Sequence, residues 1–175
     1  MKYEMMKKLN KNGLKWLKGF HMLTVSCWIG GAVALILLYP LKGDVNSGAV
    51  LYGINRSIHH IDMAVVVIPG ACGCLATGLI YGIFTNWGFF KHTWLVFKWI
   101  VTIAAILFGT FFLGPWETAM MEISGEQGIL ALADPAYRYN QRMNLIFGTL
   151  QCLILVITVF ISIFKPWMKV KKARE

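Results

Sequence analysis

Five side chains of this sequence are best suited to chemistry: His21, His59, His60, His92 and Lys98. A histidine can ligate haem iron, relay a proton or satisfy a buried contact. His21 shares a helical face with Thr24, Trp28 and Gly31, at offsets of three, seven and ten residues. Lys98 shares one with Thr102, Ala105 and Gly109, a small and polar face suited to a bundle interior. His92 precedes Lys98 by six residues, roughly 9 Å of rise and a large rotation, so the two cannot both point squarely inward. His59 and His60 stand next to Asp62 and Met63. With Met63 or Met143 as a partner, one of them would form a second metal site. Arg138 and Arg142, one turn apart, could pair with Glu117 and Glu122 or with the propionates of a porphyrin. Cys27, Cys72, Cys74 and Cys152 form no CxxC or CxxCH, which excludes covalent c-type haem and gives zinc or iron–sulfur ligation no motif.

These groups must be positioned by helices inside a membrane. The chain has 175 residues, room for one domain. Hydrophobic residues make up 57% and charged residues 14%, against about 25% in a soluble domain. So few charges cannot cover a soluble globule, and a nucleic-acid reading of the net charge of +9 is set aside. Apolar runs predict an all-α, polytopic four-helix bundle with spans at about 15–41, 58–84, 92–116 and 136–166. Connections are too short for an extramembrane domain. The first run is too long, and lacks the small-residue site, to be a cleaved signal peptide. Asp134 before Pro135 reads as a helix N-cap followed by an N1 proline.

Charge gives the expected topology. Lys2, Lys7, Lys8, Lys11, Lys15 and Lys18 precede or enter the first span, Lys91 and Lys98 flank the start of the third, and Lys165, Lys169, Lys171, Lys172 and Arg174 follow the fourth. Lys42, Arg56, Arg138 and Arg142 fall on the other side, so thirteen cations stand against four. Both termini are therefore expected in the cytoplasm of a multi-pass cell-membrane protein, with the lysines also touching anionic lipid. Trp16, Trp87, Trp94, Trp116 and Trp167 fall near span ends, as an interfacial belt requires, and Trp28 and Trp99 lie deeper. On this topology His21 and Lys98 lie at similar cytoplasmic depth. His59 and His60 lie some 25 Å further along the axis, too far to share one metal ion with His21.

Gly70, Cys74, Gly78 and Gly82 recur every four residues in the second span, with Gly73 and Thr77 beside them. Such a stripe admits a second helix, a flat cofactor or a homodimer partner. Periodicity does not say which of His59 and His60 faces it. In the fourth span Asn144, Gly148 and Gln151 share a face, and Gln151 needs a hydrogen-bond partner in the hydrocarbon zone. A small-residue bundle makes a slot for haem, yet the residues alone leave ligand, relay and structural roles open.

Leu17-Lys18-Gly19-Phe20-His21-Met22-Leu23, then Trp28-Ile29-Gly30-Gly31, resembles the first helix of a group of small membrane proteins. The group includes CopD-like copper-resistance proteins, HemJ-type protoporphyrinogen oxidases and a related four-span family. Trp94-Leu95-Val96-Phe97-Lys98, Pro69 and Thr77-Gly78 are similar to its later spans. The resemblance covers three spans of four through short motifs. It implies haem b, one or two, with His21 as axial ligand and Lys98 as a functional, candidate catalytic position. His92 could ligate the opposite face of the iron, and Lys98 could pair with a propionate. The chain lacks a Met- and His-rich outer segment, which weakens a copper role, and the His59–His60 pair departs from a one-haem scheme. The expected functions are electron transfer with a quinone or another redox partner, haem sequestration, or HemJ-like porphyrinogen oxidation. A transporter is disfavoured by the lack of a central charged pair and of an inverted repeat.

Overall fold

The structure, a computed structural model, describes residues 8–86 and 88–165. Lys2, Lys7, Trp87, Pro166, Trp167 and the cations at 169–174 lie outside the described residues. Every regular element among the described residues is helical.

Helix α1, Lys11–Leu38, starts at Asn10, whose side chain accepts the Gly13 N–H at 2.7 Å. Pro40 has no N–H to continue the ladder, and the chain leaves through a 3₁₀ turn, Pro40–Lys42. Helix α2, Gly48–Ile61, continues into a wide π-helical segment, Asp62–Cys72, and then α3, Gly73–Phe84. Helix α4, Thr93–Phe108, likewise passes through a π segment, Gly109–Leu113, into α5, Gly114–Gln127. The turn after α5 needs the positive φ of Gly128 (59°), and a 3₁₀ stretch, Gly128–Ala133, follows. Helix α6, Pro135–Phe164, is capped by Asp134, which accepts the N–H groups of Ala136 (2.8 Å) and Tyr137 (3.0 Å). The Gln127 side chain also bonds Asp134, and with the two amides it holds that carboxyl below the usual carboxylate range.

Four continuous helical stretches, of 32, 37, 41 and 30 residues, are therefore long and apolar enough to cross a membrane. Large apolar side chains stand exposed along them, such as Leu37, Phe111 and Ile163, as expected where lipid is the solvent.

The two middle helices outrun their apolar cores. The second begins at Gly48 rather than near 58, and the third reaches Gln127 rather than 116. The added turns of α2 are amphipathic, and those of α5 bury a few residues only. Leu51, Asn55 and Ile58 of α2 are buried, as are Met120 and Ser124 of α5, and the two helices pack on each other. A search for unbroken apolar runs misses turns that bury only one face.

A residue that disturbs the ladder lies inside or directly after each π segment. Pro69 lies inside the first, where it offers no N–H and crowds the preceding turn. Gly114 and Pro115 close the second. Both segments line the largest cavity described below.

Candidate functional site

The chemically capable residues fall at two ends of the bundle. At the first, α1 packs closely on the second span. The face read from sequence, His21–Thr24–Trp28–Gly31, is this seam. A Cβ added at Gly70 would fall 2.8 Å from Trp28 Cα and 2.9 Å from Trp28 N. One at Gly73 would fall 2.7 Å from Thr24 Cγ2, and one at Gly31 2.6 Å from Val66 Cγ2. Further along, Gly78 faces Trp99 and Gly82 faces Phe89. The small-residue stripe is thus filled by helices and aromatic rings of the same chain. The start of α1 is tied to the end of α3 by Leu9 N–H donating to Phe84 O at 3.0 Å, so the two helices run antiparallel.

His21 is half-buried in this seam. Its Nδ1 lies 2.7 Å from Thr77 Oγ1, and its ring meets Tyr81 edge-on at 5.6 Å. The Thr77 hydroxyl has main-chain acceptors at Gly73 O (2.7 Å) and Cys74 O (3.1 Å). With its one proton committed there, Thr77 accepts from His21, so the network assigns the proton of the neutral ring to Nδ1. The Nε2 lone pair is then left to act as a ligand or acceptor. Lys98 lies within electrostatic range of His21 and of Cys74. Lys98 Nζ itself lies 5.9 Å from the centroid of the Trp94 ring. His92 is the N-cap residue of α4, and its ring stacks on Trp94 at 6.2 Å.

The second end is built differently. All four spans enclose a cavity of about 690 Å³, within the usual range for small-molecule sites. Trp28 and Leu35 line it from α1, Val66 and Ala71 from the first π segment, Gly109 and Leu113 from the second, and Gly148 and Gln151 from α6. His59, Asp62 and Met63 line it as well, whereas His60 is exposed and absent from the lining. The ambiguity between the two histidines resolves toward His59. Gln151 projects into the cavity beside Gly109. Met143, Arg138 and Arg142 do not line it, and both arginines are exposed.

A polar network closes this end. Tyr39 Oη donates to Asn144 Oδ1 at 2.6 Å. Asn144 Nδ2 donates to Leu113 O (3.0 Å) and to Glu117 Oε1 (3.3 Å). Glu117 is 4% exposed, and its other oxygen, Oε2, is buried without a hydrogen-bond partner. The expected pairing of Glu117 with Arg138 or Arg142 is replaced by this bond to Asn144. The nearby cation is Lys42, only 1% exposed, with Nζ 4.2 Å from the Tyr39 ring centroid and 3.7 Å from Met120 Sδ. Asn55 Nδ2 bonds Ser124 Oγ (3.0 Å) and Tyr137 Oη (3.1 Å), which ties α2 to α5 and α6.

Lys42, Asn55 and the orphaned oxygen of Glu117 are not apparent as site residues from sequence. Lys42 reads there as a loop cation. Only Glu117 leaves a trace, as an acid two residues beyond Gly114-Pro115.

Among the described residues, no group of three or more His, Cys, Asp or Glu side chains is placed to hold a metal ion. No family model, curated protein or solved structure matches the chain.

Proposed function

We propose that this chain is an integral membrane protein that binds haem b through His21 and takes part in electron transfer in the cell membrane, with both termini cytoplasmic. The observation that carries the reading is the hydrogen bond from His21 to Thr77. It fixes the ring and leaves Nε2 as the ligating nitrogen, the outer-shell arrangement typical of ligating histidines. The donor set offers one axial ligand, at a seam whose small-residue stripe is already filled by the chain itself, and Lys98 is the cation within electrostatic range that would meet a propionate. Bound haem would supply one-electron chemistry at its iron.

The cavity at the other end fits haem less well, despite His59. Its described lining holds three carboxylates, Asp62, Glu117 and Glu122, and neither lysine nor arginine. Haem would bring two more carboxylates into that acidic surrounding. One haem at His21 is therefore preferred to two. The electrostatic reach of Lys98 to His21 also favours a second reading, HemJ-like porphyrinogen oxidation, in which both residues act at the same site.

The test is the pyridine haemochrome and the reduced-minus-oxidised spectrum of the detergent-purified protein. A b-type spectrum that disappears in His21→Ala is expected. A haem-free protein from cells well supplied with haem overturns the reading.

A further inference from the structure

The hydrogen bonds around Glu117 leave one of its oxygens unaccounted for. Asn144 Nδ2 carries two protons, and both are committed, one to Leu113 O at 3.0 Å and one to Glu117 Oε1 at 3.3 Å. The amide cannot turn over, because the Leu113 carbonyl can only accept. Oε2 is buried with no donor, on a side chain that is 4% exposed. Lys42 does not supply one. Its Nζ lies against Met120 Sδ at 3.7 Å and over the face of the Tyr39 ring instead.

A second carboxyl belongs to the same surroundings. Asp62 opens the first π segment, directly after α2, which packs on α5. It lines the cavity together with Glu117 and lies within its electrostatic range. The other titratable groups around the pair are His59 on the second span, Tyr39 and Lys42 at the end of the first, Glu122 on α5 and Tyr137 on α6. None of them bonds Oε2.

Two ionised carboxyls in one desolvated wall repel each other, and an ionised Oε2 would lack any donor. A single proton removes both problems. Oε1 already accepts from Asn144, so the proton belongs on Oε2. There it turns the orphaned acceptor into a donor, and the Asp62 carboxylate is the acceptor suited to it.

We propose that Glu117 and Asp62 form a proton-binding site between the second and third spans, holding one proton that sits on Glu117 Oε2 and is donated to the Asp62 carboxylate. Asp62 is half-buried in the cavity wall, so the proton exchanges with the cavity through it. The site stands on these two carboxyls and does not depend on haem at His21.

The test is the infrared spectrum of the full chain in a maltoside detergent, which has no carbonyl of its own. It is recorded at about pH 7, where ordinary carboxyls, with values of about 4, are ionised. The carbonyl stretch of a protonated acid is expected, and it should move down in D₂O as the proton exchanges. Carboxyl-¹³C glutamate should shift it and carboxyl-¹³C aspartate should not, a result read on the unsubstituted protein. Glu117→Gln should abolish the band. Asp62→Leu takes away the charged acceptor and the like charge together, so the band should leave its original frequency. His21→Ala should leave it in place, which separates this site from the haem reading. A spectrum without a protonated glutamic acid, a band that survives Glu117→Gln, or one unmoved by Asp62→Leu overturns the proposal.

Discussion

The His21 end and the His59 end are made from the same four helices, yet one is shut and the other hollow. At the His21 end, glycines of the second span let α1 approach to backbone contact, and the histidine is pinned by a threonine of the facing helix. At the His59 end, two π segments widen the second and third spans, and a cavity opens between them. The first π segment serves both ends: Gly70 and Val66 pack it against Trp28 and Gly31 of α1, while Asp62, Met63 and Ala71 line the cavity, and π segments often accompany functional sites. The charges divide between the two ends. Lys98 lies within electrostatic range of His21, whereas Asp62, Glu117 and Glu122 line the cavity.

The contrast can be broken most forcefully by alanine at a glycine. Gly70→Ala places a methyl group against the backbone of Trp28, which cannot move aside cheaply. A loss of about 1–3 kcal/mol is expected in unfolding by denaturing detergent. Gly30→Ala has nothing within 4 Å of the new methyl and should leave stability unchanged. Equal effects of the two substitutions would mean that the seam is not close-packed.

An effect of equal or lesser size is expected from the network that braces the cavity. Asn55→Ala removes the partner shared by Ser124 and Tyr137, both buried. It should cost about 1–3 kcal/mol at most, with His21-bound haem unaffected. Loss of haem in this variant would show that the two ends are coupled.

The smallest effect concerns the cap of α6. The Asp134 carboxyl is held below its usual range by Gln127 and two amides, so the native protein favours its ionised form. Its contribution is complete above the unfolded carboxylate value of about 3.9 and is lost as pH falls through the lower folded value. Exchange of the Ala136 and Tyr137 amides should therefore accelerate below about pH 4. Asp134→Asn, which still caps, should remove that acceleration.

Much of this architecture was legible in the sequence, for identifiable reasons. Four apolar runs marked the spans, because nothing else holds twenty hydrocarbon-facing residues in a row. Asp134-Pro135 marked the start of α6, since capping is a local act. The face from His21 to Gly31 followed from a period of 3.6 in unbroken helix. The same period failed across residues 62–72, where the helix is wider, so it could not separate His59 from His60. The added turns of α2 and α5 lacked apolar runs, and with them Asn55 and Ser124 were missed. The burial of Lys42 depends on the packing of Tyr39, Met120 and Tyr137 around it, contacts between distant parts of the chain that no local pattern announces.

The central claim is that a cofactor-binding histidine lies at the closed end and an acid-lined cavity at the open one. Haem content of the unsubstituted protein, His21→Ala and His59→Ala, measured side by side after identical purification, tests it most directly. The account predicts one b-type haem per chain, lost in His21→Ala and retained in His59→Ala. Haem lost in His59→Ala but retained in His21→Ala would place the cofactor in the acidic cavity and contradict it.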